Sequence, residues 1–159
     1  MNDNLKEILE TLGLNPSEQT IAQILDAVKR DKKAVFVENK TLKIKELIEH
    51  FLNIEDLTIK RRKRQFVKAR HFFCFTIYFK TKVTFTELGE FLDCDHSTIT
   101  HSIMTFRNIF EVDENYRNEY LQLLNVMELS GVSMDRVRFE VEKIKINNRF
   151  SHEMMKQLK

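Results

Sequence analysis

The sequence predicts an all-α fold. Of its 159 residues only 3 are glycine and 1 is proline, too few turn residues for a β-sandwich or barrel. Apolar residues recur at three- and four-residue spacing along most of the chain. Ser, Thr, Asp or Asn precedes several of these segments, in the position of a helix N-cap. These observations indicate helices from one end of the chain to the other.

Two short helices are predicted in the first 40 residues. The first runs from Asp3 to a stop at Gly13, and Asn15-Pro16 begins the second. Val35-Phe36-Val37 is ambiguous between a short strand and a connector, and nothing nearby offers it a pairing partner. The helical period resumes at Thr41 and continues to Leu52.

A central buried helix is predicted between Phe66 and Phe79. Its residues are apolar nearly all round, which is typical of a helix enclosed by others. A strand is the competing interpretation for Phe73–Phe79. The length of the pattern and the presence of Ala69 favour the helix.

A helix-turn-helix is predicted next. Thr84 and Glu87 have the spacing of a capping box, which begins a short helix. Asp93-Cys94-Asp95 interrupts that helix, and Asp95 is placed to cap a second one. Small polar residues and histidines occupy the uncovered face of its first turns: His96, Ser97, Thr100 and His101. A short helix, a brief turn and a second helix with an exposed polar N-terminus is the layout of this motif.

The rest of the chain continues in helices. Asp113 begins one that ends near Ser130-Gly131, and a tail with helical periodicity follows from Val132. We therefore predict three parts: an N-terminal helical extension (1–40), a helix-turn-helix domain (41–128) and a C-terminal helical extension (129–159).

The formal net charge of +2 conceals a segregated distribution. Between Asp56 and Glu87 there are nine basic residues and no acidic one, whereas the remainder of the chain is acidic overall. Segregation of this kind creates a local field that attracts anions. The nine are Lys60, Arg61, Arg62, Lys63, Arg64, Lys68, Arg70, Lys80 and Lys82.

Several classes of protein are not expected. The start of the sequence is unlike a signal peptide and no apolar stretch is long enough to span a membrane, so we expect a cytoplasmic protein with no membrane partner. No P-loop motif is present, and Cys74 and Cys94 form neither a disulfide pattern nor a CxxC. Asp95 with His96 as an acid/base pair, and metal sites built from Asp93 or Cys94, are weaker alternatives, because residues this close along a turn rarely converge on one ion. We expect no enzyme activity, cofactor or metal.

Two segments resemble the C-terminal DNA-binding domain of the bacterial replication initiator DnaA. They are RRKRQFVKARH (61–71) and ELGEFLDCDHSTITHS (87–102), within a resemblance that covers about residues 41–127. That family has an arginine-rich loop, a long buried helix and a helix-turn-helix opening with Asp-His-Ser/Thr-Thr. This sequence departs from it at His71, where Gln is usual, and at Cys94, where Arg is usual. The ATPase part of full initiators is not expected here.

The resemblance implies a set of DNA-binding residues. Arg62 and Arg64 would reach the minor groove and phosphates, and Arg70 would clamp a phosphate. Bases in the major groove would be contacted by Asp95, His96 and Ser97, with Thr98 and His101 in support. The full predicted set is Lys60, Arg61, Arg62, Lys63, Arg64, Lys68, Arg70, His71, Asp95, His96, Ser97, Thr98 and His101.

Two functions are consistent with the sequence. The favoured one is a sequence-preferring binder of double-stranded DNA, connected with replication initiation or its regulation. The alternative is a protein-interaction adaptor or a transcription regulator built on the same scaffold. A single helix-turn-helix reads a short site, so a homodimer, or a replication or transcription partner held by the flanking helices, would add specificity.

Overall fold

A computed structural model describes residues 18–157, and all regular secondary structure in that span is helical. The all-α prediction is therefore confirmed for these residues. None of the helices found there combines the length and apolar character needed to cross a membrane. The six helices are α1 (Glu18–Leu52), α2 (Arg64–Lys80), α3 (Phe85–Phe91), α4 (His96–Val112), α5 (Glu114–Leu129) and α6 (Asp135–Gln157).

The prediction of a short strand or a connector at Val35-Phe36-Val37 was wrong. This segment is neither a strand nor a connector but lies within the continuous helix Glu18–Leu52. No glycine or proline occurs in α1, and β-branched or aromatic residues each disfavour a helix by less than about 1 kcal/mol. The helix predicted from Asp3, and the cap predicted at Asn15-Pro16, lie outside the described residues.

The chain divides into two compact units, residues 1–40 and 41–159. In the second unit α2 is central, as its apolar sequence predicts, and it packs against α4 and α6. Nine of its residues are buried: Phe66, Ala69, His71, Phe72, Phe73, Cys74, Phe75, Thr76 and Ile77.

An aromatic cluster joins α2, α4 and α5. Phe106 of α4 stacks on Phe75 with ring centroids 4.0 Å apart, and the ring of Tyr120 on α5 lies edge-on to Phe106 at 4.6 Å. The Tyr120 hydroxyl is 2.7 Å from the Thr76 hydroxyl, which itself donates to the carbonyl of Phe72. Aromatic pairs of this kind contribute about 0.5–1.5 kcal/mol beyond area burial, so the cluster fixes the position of α4 on α2.

Helix α6 belongs to the same core as the helix-turn-helix. It packs against α2 and α4 and buries Val137, Val141 and Ile144. Arg138 donates to the carboxylate of Glu128 and to the side-chain oxygen of Asn125, both on α5. The predicted start of α5 at Asp113 is confirmed: Asp113 is the N-cap, and its carboxylate accepts a hydrogen bond from the amide of Tyr116.

Candidate nucleic-acid interface

The basic segment, defined here as Lys60–Arg64, forms the end of the loop between α1 and α2 together with the first residue of α2. All five residues are exposed. Lys60 pairs with Asp93 at 2.7 Å, and Arg61 lies 3.8 Å from Glu55. The side chains of Arg62, Lys63 and Arg64 make no ion pair or hydrogen bond with the part of the chain that the structure describes. Three cationic groups are thus available to an external anion.

The loop that carries the basic segment is held at its start by an acidic network. The amide of Leu57, whose side chain is fully buried, donates to the carboxylate of Glu49. Lys45 pairs with both Glu49 and Asp56. Burial alone would raise the pKa of Asp56, but hydrogen bonds from Thr58 and Lys45 outweigh it and lower that pKa to about 2. The loop is therefore fixed to the end of α1.

A second set of contacts fixes the loop at the start of the basic segment. The guanidinium of Arg70 on α2 donates one hydrogen bond to the carbonyl of Ile59 and another to the carbonyl of Arg61, each 2.8 Å long. The Arg61 guanidinium also lies over the ring of Phe66, 5.5 Å from its centroid. These contacts leave little conformational freedom to the backbone on either side of Lys60.

The helix-turn-helix consists of α3, a turn and α4. Its capping box is present as predicted: the Glu87 amide donates to the Thr84 hydroxyl and the Thr84 amide donates to the Glu87 carboxylate. The turn closes with a hydrogen bond from the Cys94 amide to the Gly89 carbonyl, with Asp93 at a φ of 50°. A β-carbon on Gly89 would lie 2.5 Å from the Cys94 carbonyl oxygen, so only glycine fits here.

The N-terminus of α4 exposes its polar residues. Asp95 holds the N-cap position that the sequence predicts, but its side chain makes no capping hydrogen bond. Its carboxylate is therefore available to another donor. His96, Ser97, Thr98 and His101 are exposed as well, while Ile99 and Ile103 on the other face are buried. The helix thus presents a polar face whose direction is fixed by its apolar one.

The start of the basic segment lies beside the turn and the start of α4. The Lys60–Asp93 pair joins the loop to the turn. Lys60 and Asp93 also line a cleft of about 810 Å³ whose walls include Asp95, His96 and Thr98. The structure therefore brings Lys60 to the hydrogen-bonding side chains at the start of α4, whereas Arg62 and Arg64 line a different cleft with residues of α2 and α5.

Three residues of the predicted set are not displayed in this way. Lys68 lies 2.6 and 2.8 Å from the two carboxylate oxygens of Glu119. Arg70 is engaged with the loop. His71 is only 8% exposed, and burial, with the charges of His101 and Arg70, lowers its pKa to about 4. A neutral, enclosed imidazole presents little surface to a phosphate, so a role for His71 in contacting DNA stays a prediction that its burial disfavours.

Three features of the surface were not predicted from the sequence. They are the steric role of Gly89, the Lys60–Asp93 pair and the hold of Arg70 on the loop. Only the first had a signal, because a glycine inside an apolar helical pattern often marks close backbone approach. Among residues 18–157, no three His, Cys, Asp or Glu side chains are grouped closely enough to hold a metal ion.

Comparison with known proteins shows what this part of the chain is similar to. Residues 43–105 match the family model described as the bacterial dnaA protein helix-turn-helix. The chain is also 28% identical over 108 residues to the chromosomal replication initiator protein DnaA of Bacteroides fragilis (strain YCH46). That match covers 64% of this chain and 23% of the relative's length. No solved structure matches the chain.

Proposed function

We propose that this chain, whose residues 43–105 match the bacterial dnaA protein helix-turn-helix, binds double-stranded DNA. The basic segment contacts phosphates and the minor groove, and the N-terminus of α4 enters the major groove. The process served is replication initiation or its regulation, in keeping with the name of the Bacteroides fragilis relative.

The observation that carries the proposal is the contact between the start of the basic segment and the turn before α4. Lys60 lines the cleft with Asp95 and His96, and Arg62, Lys63 and Arg64, which follow it in the chain, are exposed and unpaired within the described residues. Cations supply affinity by releasing the counterions of phosphates, independently of sequence. Carboxylate, imidazole and hydroxyl groups at a helix N-terminus can hydrogen-bond base edges in the major groove. Both components of specific binding are therefore present among the exposed side chains of this domain.

The first experiment measures affinity for a pool of random duplexes over a range of salt concentrations. The logarithm of the affinity should fall linearly with the logarithm of the salt concentration. Arg62→Ala and Arg64→Ala should each weaken binding to all sequences and reduce that slope by about 0.9. Lys82→Ala is the matched control, because Lys82 is exposed but lies beyond the opposite end of α2, a helix about 25 Å long. Failure of the wild-type chain to bind any duplex at low salt would overturn the proposal.

The second experiment tests the recognition of bases. Selection of bound duplexes from the random pool gives the preferred site, and the variants are then compared on that site and on a scrambled one. Asp95→Ala and His96→Ala should each reduce discrimination by about 1–3 kcal/mol while changing affinity for the scrambled duplex little. If discrimination survives both changes, α4 is not the reading element. If both arginine variants also bind as wild type does, the protein-interaction alternative gains support.

A further inference from the structure

We propose that Arg70 is a positioning residue that fixes the basic segment for DNA, and not a phosphate clamp itself. This inference rests on the proposed function. It differs from the role that resemblance implies, in which the Arg70 guanidinium would reach a phosphate directly.

The two acceptors of Arg70 make the case. Its Nη1 donates to the carbonyl of Ile59 and its Nη2 to the carbonyl of Arg61, both at 2.8 Å. These carbonyls flank Lys60, and the Arg61 amide donates back to the Ile59 carbonyl at 2.7 Å, so this stretch is a tight turn. The planar fork of a guanidinium holds two such acceptors with separate nitrogens in a fixed geometry, whereas an ammonium carries its three donors on one nitrogen at the end of a flexible chain. Arg70 is therefore suited to grip a backbone turn.

The location of Arg70 on a core helix allows its two hydrogen bonds to restrain the loop. It lies six residues into α2, about 9 Å along the axis from Arg64, on the helix that is central to the core. At its other end the loop is fixed by the Glu49 carboxylate, which accepts from the Leu57 amide. Between Arg61, held by Arg70, and Arg64, held by α2, only Arg62 and Lys63 remain. The unpaired cations of the basic segment therefore lie on a short stretch of backbone that is fixed at both ends and has few accessible conformations.

A preformed loop favours binding because the backbone is already ordered before DNA arrives. Fixing one residue's backbone typically costs enough free energy to change an equilibrium about five- to thirtyfold. Releasing the turn should therefore weaken DNA binding about ten- to hundredfold, although the charge removed is only one.

The experiment is a double-mutant cycle on the full chain, with binding measured as a function of salt. Arg70→Lys keeps the charge but loses the fork, so it should weaken binding about as much as Arg70→Ala. In the Arg62→Ala/Arg64→Ala background the Arg70 substitution should have a smaller effect than in the wild type, because only Lys63 remains of the three unpaired cations that it positions. A direct phosphate clamp gives the opposite result: Arg70→Lys retains most of the affinity, and the losses add. Either of those outcomes would overturn the positioning role.

A second readout needs no DNA. The Arg61 amide is hydrogen-bonded within the turn, so its hydrogen exchange should speed up in Arg70→Lys while amides of the α2 and α4 core exchange as in the wild type. Lys68→Ala is the matched control, since Lys68 lies on the same helix but pairs with Glu119. Unchanged exchange at Arg61 would overturn the positioning role alone, whereas absence of wild-type binding at low salt would overturn the proposed function.

Discussion

Replacing Gly89 with alanine should destabilise the helix-turn-helix, although alanine is ordinarily the better helix former. The new β-carbon would lie 2.5 Å from the carbonyl oxygen of Cys94, where side-chain carbons essentially never come closer than 3.0 Å. The turn must therefore move by about half an ångström or more. That movement strains the hydrogen bond from the Cys94 amide to the Gly89 carbonyl, now 2.9 Å long.

The magnitude follows from three opposing contributions. Alanine in place of glycine favours a helix interior by about 1 kcal/mol. Overpacking against a group that cannot rotate away costs about 1–3 kcal/mol, and loss of the Cys94–Gly89 hydrogen bond costs about 1 kcal/mol more. The free energy of unfolding should therefore fall by about 1–3 kcal/mol. The displaced turn should also move Asp95 and His96, so discrimination between DNA sites should decrease.

Urea unfolding followed by circular dichroism measures the first effect, with a lower midpoint and an unchanged slope as the expected result. Gly131→Ala is the control. No atom lies within 4 Å of its added β-carbon, but its φ of +81° is unfavourable for alanine. That variant should lose about 1–2 kcal/mol of stability while keeping its DNA discrimination. A Gly89→Ala chain as stable as the wild type would refute the steric argument.

Three further outcomes concern the core and the caps. The folded-state pKa of His71 is about 4, below its ordinary value of 6.5, so the unfolded chain binds the extra proton between these values. The stability contributed by neutral His71 should therefore be present above pH 6.5 and decline by at most about 1.4 kcal/mol per pH unit as the pH falls towards 4. His71→Gln should flatten this pH dependence in urea titrations. An unchanged pH dependence would contradict the lowered pKa of His71. Thr84→Ala should lower the free energy of unfolding by about 0.5–2 kcal/mol, because the capping box is lost. The control Thr86→Ala, at an exposed position, should lower it by less than about 0.5 kcal/mol. Equal effects of the two substitutions would show that the capping box adds no stability. Tyr120→Phe should cost about 0.5–1.5 kcal/mol in the same assay, because its hydroxyl loses only the bond to Thr76, and a neutral result would show that this bond adds nothing.

Local spacing was sufficient to predict much of the fold. The Thr84–Glu87 capping box depends on residues three apart, so no distant contact could override it. The all-round apolar sequence of Phe66–Phe79 indicates a buried helix because no exposed face is left for water. The Asp113 cap is equally local. The prediction of a strand or connector at Val35-Phe36-Val37 was wrong, because the weak strand preference of three residues does not stop a helix that lacks glycine and proline.

The surface was harder to predict, because side-chain partners are set by tertiary packing. The sequence places Arg70 in a basic stretch, and only the folded loop brings the carbonyls of Ile59 and Arg61 to its guanidinium. Lys60 and Asp93 are 33 residues apart, so their pairing has no local signature. His71 belongs to the same basic stretch in sequence, yet the helical period turns it inward. Exposure of the basic segment itself was predictable, since five consecutive charged residues cannot enter a core.

The aromatic cluster limits where this domain can be truncated. The family match ends at residue 105, one position before Phe106, whose ring contacts Phe75 and Tyr120. A fragment trimmed to the matched span would lack Phe106 and Tyr120 and would leave the Phe75 ring without these two partners. Substitutions confined to the outward turn of α4, at His96 or Ser97, touch none of those rings. Point substitutions at these positions therefore leave the packing of α4 against α2 and α5 intact.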